Sequence, residues 1–459
     1  MAGTSRVNRQ VHTRFCERLE VKFLRPTRCV ASCRPSRSSG QRCVRPCLNW
    51  ASCRHIINNL SGSNCIPFTE NEHAIHNVRR VMKTEQHGRR SIVGQLSEGR
   101  ELNIESATAS YEGWMRSCTA VVSSDLRSKH EQMKESPFQF LRGTFYRWAQ
   151  LWPSICAQLC DAPKVLAVGD LHVNSFGTWR DAEGRLCWGV DDFDESYPLA
   201  YTNDIVRLAA SLKIVIDAGS LSIRFKDGCG AILDGYLQSL REGGCPIVLA
   251  EREQKLDKLG VDSFKPPSDF WGKLNRLPTV RHSLANDLKH ALQKTLPDPK
   301  MEYKVVRREA GLGSLGQKRF VAIARWQGGF IAREAKSMLP SACSWLNDQI
   351  GHRQSYYEEA ISSAIRSPDP FQVIEGSWLI RRLSPDSNPI DIQSLPTHRD
   401  EHMLLHAMGS ETANVHLGTK GQTTKILNDL QKRKSNWLRD AAARMARAVE
   451  KDWKHNRKS

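Results

Sequence analysis

Apolar positions along this chain alternate between helical spacing and short strand-like runs, beginning near residue 104. Over Tyr111–Met133 they recur at helical intervals (Trp114, Val121, Leu126), and Ser136-Pro137 then breaks the pattern. Phe138–Leu151 (FQFLRGTFYRWAQL) is amphipathic and aromatic, which predicts a helix packed on the core. Arg142-Gly143 inside it does not suit a plain helix, so Arg142 is a candidate for ligand contact or for a structural salt bridge. Val165–Val168 and Leu186–Val190 read as short buried strands, and the turn-type insert Arg180–Gly184 would fold the second back beside the first. Thr202-Asn203-Asp204 reads as the cap of a helix whose buried face is Ile205, Leu208, Ala209, Leu212 and Ile216. Glu251–Pro299 suggests helices joined by exposed loops, and Arg319–Arg325 and Phe330–Ala335 suggest two strands around a Gly328-Gly329 turn.

Composition changes this picture at one end only. The 459 residues carry a formal net charge of +18, but residues 1–100 hold 18 Lys/Arg against 6 Asp/Glu and so account for about two-thirds of the excess. That segment has no sustained period and is expected to be a disordered extension over 1–103. Cys29-x3-Cys33 and Cys43-x3-Cys47 have spacings that zinc can use, but no strand or helix pattern surrounds them. Basic residues there could touch nucleic acid through phosphates, nonspecifically. The seven cysteines from Cys118 onward show no disulfide-framework spacing, no apolar run is long enough to span a bilayer, and no secretory-type block opens the chain. The expectation is a cytoplasmic protein without a membrane partner.

Chemistry concentrates where the apolar runs stop. Val165–Glu195 reads VLAVGDLHVNSFGTWRDAEGRLCWGVDDFDE, and the expected hairpin brings Asp170, His172, Asp192 and Asp194 into one small volume. Clustered carboxylates repel, and a hard cation such as Mg²⁺ is the usual compensation. The alternative is a surface hairpin with solvated acids. A second candidate is Gly311-Leu312-Gly313-Ser314-Leu315-Gly316, where glycines let backbone N–H groups approach phosphates. A strand follows it instead of the helix a dinucleotide site needs, so a β-hairpin lid over a nucleotide is the better comparison.

These motifs carry a resemblance. GDLHVNSF (Gly169–Phe176) followed by DDFD (Asp191–Asp194) resembles the catalytic pair of aminoglycoside-phosphotransferase and protein-kinase-like folds. SPFQFLRG, GDLH, DFDE, RLAAS (Arg207–Ser211), GLGSLGQ and REAK (Arg333–Lys336) together are similar to the domain-of-unknown-function family 2252, over about residues 105–455. The catalytic-type loop precedes the Gly-rich turn, the reverse of ordinary kinases, which implies an α+β, two-lobed kinase-like fold with circularly permuted lobe order. In that arrangement 104–300 is the catalytic-loop part, 301–398 the Gly-rich β lobe, and 399–459 helices that pack back on the first part. Ser341–Ser363 would correspond to the kinase αC helix, with Glu358 and Glu359. Phe371–Glu375 and Ser377–Leu383 would be strands, and His402–His416 the helix that normally precedes the catalytic loop.

The resemblance implies an ATP- and Mg²⁺-dependent phosphotransferase acting on a small-molecule hydroxyl. Asp170 would orient or deprotonate the acceptor, and His172 would hold the loop. Asp192 would bind Mg²⁺, Asp194 would assist it, and Asp204 would steady the catalytic turn. Gly311, Gly313, Ser314, Gly316, Arg333, Lys336 and Glu358 would serve the nucleotide. Two positions depart from the pattern: Ser175 stands where a metal-binding asparagine is expected, with Asn174 one place early, and Arg333 stands where the lysine is expected. A nucleotide-binding protein without turnover, or a binding module with a structural cation, is the alternative. A strand followed by GDxH also opens calcineurin-like metallophosphoesterase sites, but those need a GNH turn, and no GNH occurs in the chain.

Overall fold

Helix α1 (Ile104–Cys118) begins where the Asn103 side chain accepts the Ser106 N–H, and it ends at Thr119, whose backbone is extended. Extended backbone persists to Val122, so the helix-spaced stretch 111–133 is two helices, the second being α2 (Ser123–Glu135). The computed structural model describes residues 102–458 apart from 253–256, 259, 262–263, 282, 348–354, 388–389, 391 and 393–397. The basic segment, its cysteine spacings and its expected disorder therefore lie outside the described residues. Ser136-Pro137 both ends α2 and starts α3 (Pro137–Gly143), because Ser136 Oγ accepts the Gln139 N–H and proline suits a first turn. The stretch 138–151 is likewise not one helix. Thr144 Oγ1 donates to Phe140 O (2.7 Å) at the break before α4 (Phe145–Ile155).

The strands pair differently from the sequence expectation. β1 (Lys164–Ala167) runs antiparallel to β4 (Tyr197–Ala200), while β3 (Leu186–Val190) pairs with β2 (Phe176–Arg180). The 180–184 turn is real, but it returns β3 to Phe176–Arg180, a strand lying inside what read as loop. β4 runs straight into α5 (Tyr201–Asp217), whose cap is Ala200 with no side-chain bond. Thr202, Asn203 and Asp204 are thus inside the helix and buried, and do not cap it. α6 (Phe225–Glu242), α7 (Pro267–Asn275) and α8 (Asn286–Thr295) follow.

A five-stranded antiparallel sheet comes next, in the order β5-β6-β7-β9-β8. It comprises β5 (Lys304–Arg307), β6 (Arg319–Trp326), β7 (Gly329–Ser337), β8 (Val373–Glu375) and β9 (Trp378–Leu383). The β6–β7 turn is Gln327-Gly328, both with positive φ, one residue earlier than the glycine pair suggested. α9 (Ala342–Leu346) and α10 (Tyr357–Ser363) occupy the span expected to hold one αC-like helix. Leu288, Ala291 and Leu292 of α8 pack on Ala322, Ala335 and Ile380, while Leu274 of α7 packs on Val321, Ile323 and Ala332. Alternating strand residues therefore bury both sheet faces.

The last helices are α11 (His398–His416), α12 (Thr423–Lys432) and α13 (Trp437–Asn456). α11 packs on α6 and α13 on α5, so the chain's end covers the helices that follow the acidic turns. The largest hydrophobic cluster joins them to α4, β1 and β3 through Trp148, Val165, Trp188, Leu208, Leu404 and Met445. The fold is mixed α+β with small sheets. Among the described residues no helix is long and apolar enough to cross a membrane.

Candidate functional site

Two turns meet beneath the sheet. Gly169 has φ +83°, and a Cβ there would stand 2.2 Å from Glu195 O, so only glycine lets the Asp170 turn lie against the DDFD turn. Asp204, from inside α5, accepts the N–H groups of Val168 (2.7 Å) and Gly169 (3.0 Å). His416 of α11 holds the same carboxylate through Nε2 (3.0 Å) while Tyr236 OH meets its Nδ1 (2.8 Å). The turn carrying Asp170 is thus fastened by a buried chain of polar groups drawn from three helices.

Asp170 Oδ1 accepts from Arg207 Nε (2.9 Å) and also from Nη2. Arg207 is fully buried, donates to Leu141 O (2.8 Å), and lies over the rings of Phe145 and Trp148. Burial raises the Asp170 carboxyl above its ordinary value against the pull of Arg207, and the Asp192 charge raises it further. Just beyond the end of β3 the picture repeats with a lysine. Lys336 of β7 is buried, forms an ion pair with Asp194, and stands 3.7 Å from Asp192. Burial would raise the Asp192 carboxyl, but Lys336, Arg381 and the Asp194 N–H outweigh it and hold it below the usual range. Asp194 moves the other way, raised by burial and by the Asp192 charge. Asp191, behind them, is pushed up to about 6 by burial.

The Gly-rich turn closes on the same place. Gly311, Gly313 and Ser314 line one cleft of about 760 Å³, including its solvent-open mouth, together with Asp170, Asp192 and Asp194. A Cβ at Gly313 would lie 3.5 Å from Asp170 Oδ2. α2 and the residue before it hold the turn from outside: Val122 N donates to Gly316 O (2.8 Å) and Lys129 Nζ to Gly313 O (2.9 Å). Gly316 has φ +102°, and a Cβ there would press within 2.6 Å of Leu126. From inside, Arg319 donates to Ser314 Oγ (2.7 Å) and to Glu334 (2.9 Å). Glu334 is fully buried and also takes Arg308 and Arg381, which together hold its carboxyl well below the ordinary value against burial.

His172 is buried, and its Nδ1 accepts the Asn174 N–H (3.2 Å); burial keeps the ring neutral at values well below its ordinary pKa. Ser175 Oγ is committed to the loop, accepting from His172 N (3.0 Å) and donating to Asp170 O (3.1 Å). The oxygen that remains is Asn174 Oδ1, buried without a hydrogen-bond partner among the described residues, on a side chain that lines the cleft. Arg142 also lines the cleft and donates to Gln139 Oε1 (3.0 Å).

Three expected nucleotide contacts fall elsewhere, Gly316 being turned against Leu126 and Met115. Arg333 lies on the opposite strand face from Lys336, donates to Thr295 O (3.0 Å), and stacks over Phe371. Strand side chains alternate with every residue, so two that are three apart lie on opposite faces and only one of the pair can reach the cleft. Glu358 is exposed on α10. Sequence reasoning missed Lys129, Arg207 as the partner of Asp170, and Glu195, whose half-buried carboxylate accepts the Ala342 N–H (2.7 Å) at the start of α9. Burial pushes that carboxyl up to about 8.

Among the described residues no three His, Cys, Asp or Glu side chains are grouped to hold a metal unaided. A cation here would therefore draw further oxygens from a bound molecule, as Mg²⁺ does when it shares one or two carboxylates with phosphates. Residues 121–267 match a family described as an uncharacterized protein conserved in bacteria (DUF2252). The match spans both acidic turns, Asp204 and Arg207, and stops before the Gly-rich turn. No curated protein and no solved structure matches the chain.

Proposed function

We propose that the cleft is the site of an ATP- and Mg²⁺-dependent phosphotransferase, built as a two-part kinase-like fold with permuted order and acting on a small-molecule hydroxyl. The observation that carries this is convergence: the Asp170 turn, the DDFD turn and the Gly-rich turn, about 140 residues later, line one cleft, with Lys336 ion-paired to Asp194 and close to Asp192. Kinase chemistry asks for these four parts together: a carboxylate facing the acceptor, a carboxylate for the metal, a close backbone turn and a lysine.

The donor set suits Mg²⁺. Asp192 is half exposed to the cleft, and Asn174 Oδ1 is a neutral oxygen with no other partner among the described residues. These two would hold the ion, with Asp194 beside them; Ser175, spent on its loop, would not. Bound Mg²⁺ would supply charge neutralisation at the nucleotide phosphates. Asp170 keeps Oδ2 toward the cleft while Arg207 grips Oδ1, so it can accept a proton from, or orient, an acceptor hydroxyl. Lys336 would contact phosphate, and its pairing with Asp194 keeps it buried and directed.

A second reading, nucleotide binding without turnover, is favoured by one observation: Ser175 is committed to holding the loop and supplies no metal ligand. Calorimetric titration with ATP, with and without Mg²⁺, tests both. Asp192→Asn should weaken Mg²⁺-dependent binding at least tenfold. Asp170→Asn should leave affinity near wild type and remove turnover. Binding without phosphate release or transfer to any hydroxyl acceptor selects the second reading, and no Mg²⁺-dependent nucleotide binding by the wild type rejects both.

A further inference from the structure

Lys129 is the least expected residue in the cleft. It sits in α2, in the polar run SSDLRSKHEQMKE, yet it is only 5% exposed. Among the described residues it makes no ion pair, and its one hydrogen bond is to Gly313 O (2.9 Å). An ammonium has three donors, so two are left over on a cleft-lining side chain. Burying a charge without a partner costs several kcal/mol, and native structures usually supply the counter-charge.

The nearby carboxylates do not supply it. Glu112 is engaged by His130 (2.5 Å) and Arg116 (3.4 Å), Asp170 by Arg207, and Glu195 by the Ala342 N–H. All three act on Lys129 only through space, raising its pKa against the larger effect of burial, which lowers it. Nor does the Gly-rich turn offer its full set of N–H groups. Ser314 N is used on Gly311 O (3.0 Å) and Leu315 N on Leu312 O (3.3 Å). With those N–H groups spent, a side-chain cation would strengthen anion binding at this turn, and Lys129 stands at Gly313, where a Cβ would lie 3.5 Å from Asp170 Oδ2.

We propose that Lys129 Nζ directly contacts a phosphate group of the ligand, completing from the helical side the cradle that the Gly-rich turn begins. The proposal rests on the nucleotide reading for its full form, but its chemistry, a phosphate anion meeting a buried ammonium, can be examined apart from it. Lys336 then serves the phosphates nearer the Asp192–Asp194 pair, and Lys129 serves the one beside Gly313.

The test is calorimetric titration of wild type, Lys129→Met and Lys129→Arg with two probes, inorganic tripolyphosphate and ATP. Loss of one charge-assisted contact should weaken both probes roughly 10- to 100-fold in Lys129→Met, with Lys129→Arg between the two. Unchanged affinity in Lys129→Met overturns the proposal. A lower melting temperature with unchanged affinity overturns it as well, because Lys129 would then only fasten Gly313. Wild type binding tripolyphosphate but not ATP would remove the nucleotide reading, while the Lys129 contact stands or falls on the Lys129→Met titration. Binding of neither removes both. Should Lys129→Met not fold, lysine-directed acylation of the wild type, read at Lys129 by mass spectrometry, takes its place. Tripolyphosphate should protect that side chain, and equal labelling with and without it overturns the proposal.

Discussion

The cleft holds two carboxylate sites, each answered by a cation, and they are built in opposite ways. Asp170 meets Arg207 from α5, 37 residues later, in a contact whose arginine is fully buried, stacked on two aromatic rings and bonded to Leu141 O. Asp192 and Asp194 meet Lys336, which arrives from the five-stranded sheet 142 residues after Asp194, and Asp192 remains half exposed. The first site is assembled within the helical part alone. The second exists only when the sheet is seated over the DDFD turn. Glu195 is the contrasting third case: a half-buried carboxylate held by a backbone N–H, with no cation bonded to it among the described residues. Stability should therefore depend most on the arginine, and ligand binding most on the lysine.

The largest effect should come from Arg207→Met. It leaves the Asp170 carboxylate buried without its cation and removes the ring stacking, so unfolding free energy should fall by about 3–5 kcal/mol. Adding Asp170→Asn to that variant should return part of the loss, because the neutral amide no longer needs a counter-charge. Urea denaturation of the single and double variants measures this. If Arg207→Met costs less than about 1 kcal/mol, Asp170 is not a buried, arginine-dependent group and the contrast between the sites disappears.

Glu195 should show itself through pH. Its folded carboxyl is pushed up to about 8, above an unfolded value near 4.5, so the native state holds a proton that the unfolded chain has already released. Its effect is absent below about pH 4.5, and stability falls as pH rises from there toward 8, on the order of 1–3 kcal/mol for a partly shielded group. Glu411, raised to about 7 by burial, adds a decline of the same sign. Glu195→Gln should flatten the profile and leave a variant more stable than wild type at pH 8 and equal to it near pH 4. Equal slopes for both proteins between pH 5 and 8 would place the proton elsewhere.

Much of this site was legible in the sequence because its chemistry ends apolar runs: Asp170 and Asp192 each follow a strand that stops, and glycines mark the third turn. The pairing was not legible. The sequence sets Leu186–Val190 against Val165–Val168, whereas the true partner, Phe176–Arg180, hides in a loop-like FGTWR. Asp204 looked like a helix cap because capping is a local pattern, whereas its carboxylate faces back onto the Val168 and Gly169 N–H groups, a tertiary contact. Strand parity separated Arg333 from Lys336, but only the sheet's packing decides which face meets the cleft. Lys129 carries no local mark at all. Nothing in SSDLRSKHEQMKE separates it from a solvated lysine until the turn at 311–316 covers it.

The smallest stability effect should come from Lys336→Met, and its value lies in that smallness. The methionine keeps the apolar stem, and of the two lost partners Asp194 is partly exposed and Asp192 half exposed, so water can take over part of their solvation and denaturation at pH 7 should change by about 1–2 kcal/mol, less than for Arg207→Met. The carboxylates should respond instead. Lys336 helps hold Asp192 below its ordinary value, so its removal should move Asp192 upward and Asp194 further up, visible as shifted midpoints in a carboxyl ¹³C titration. The sign can be followed in stability too. A depressed aspartate stabilises the fold above the unfolded value near 3.8 and loses that contribution as pH falls, so wild type and Lys336→Met should converge below about pH 4. Mg²⁺-ATP affinity, by contrast, should fall at least tenfold, since the lysine is the proposed phosphate contact on this side of the cleft. A variant that unfolds like Arg207→Met would make the two sites structurally alike. One that binds nucleotide as tightly as wild type would leave Lys336 as a brace for the DDFD turn and shift the phosphate contact to the helical side.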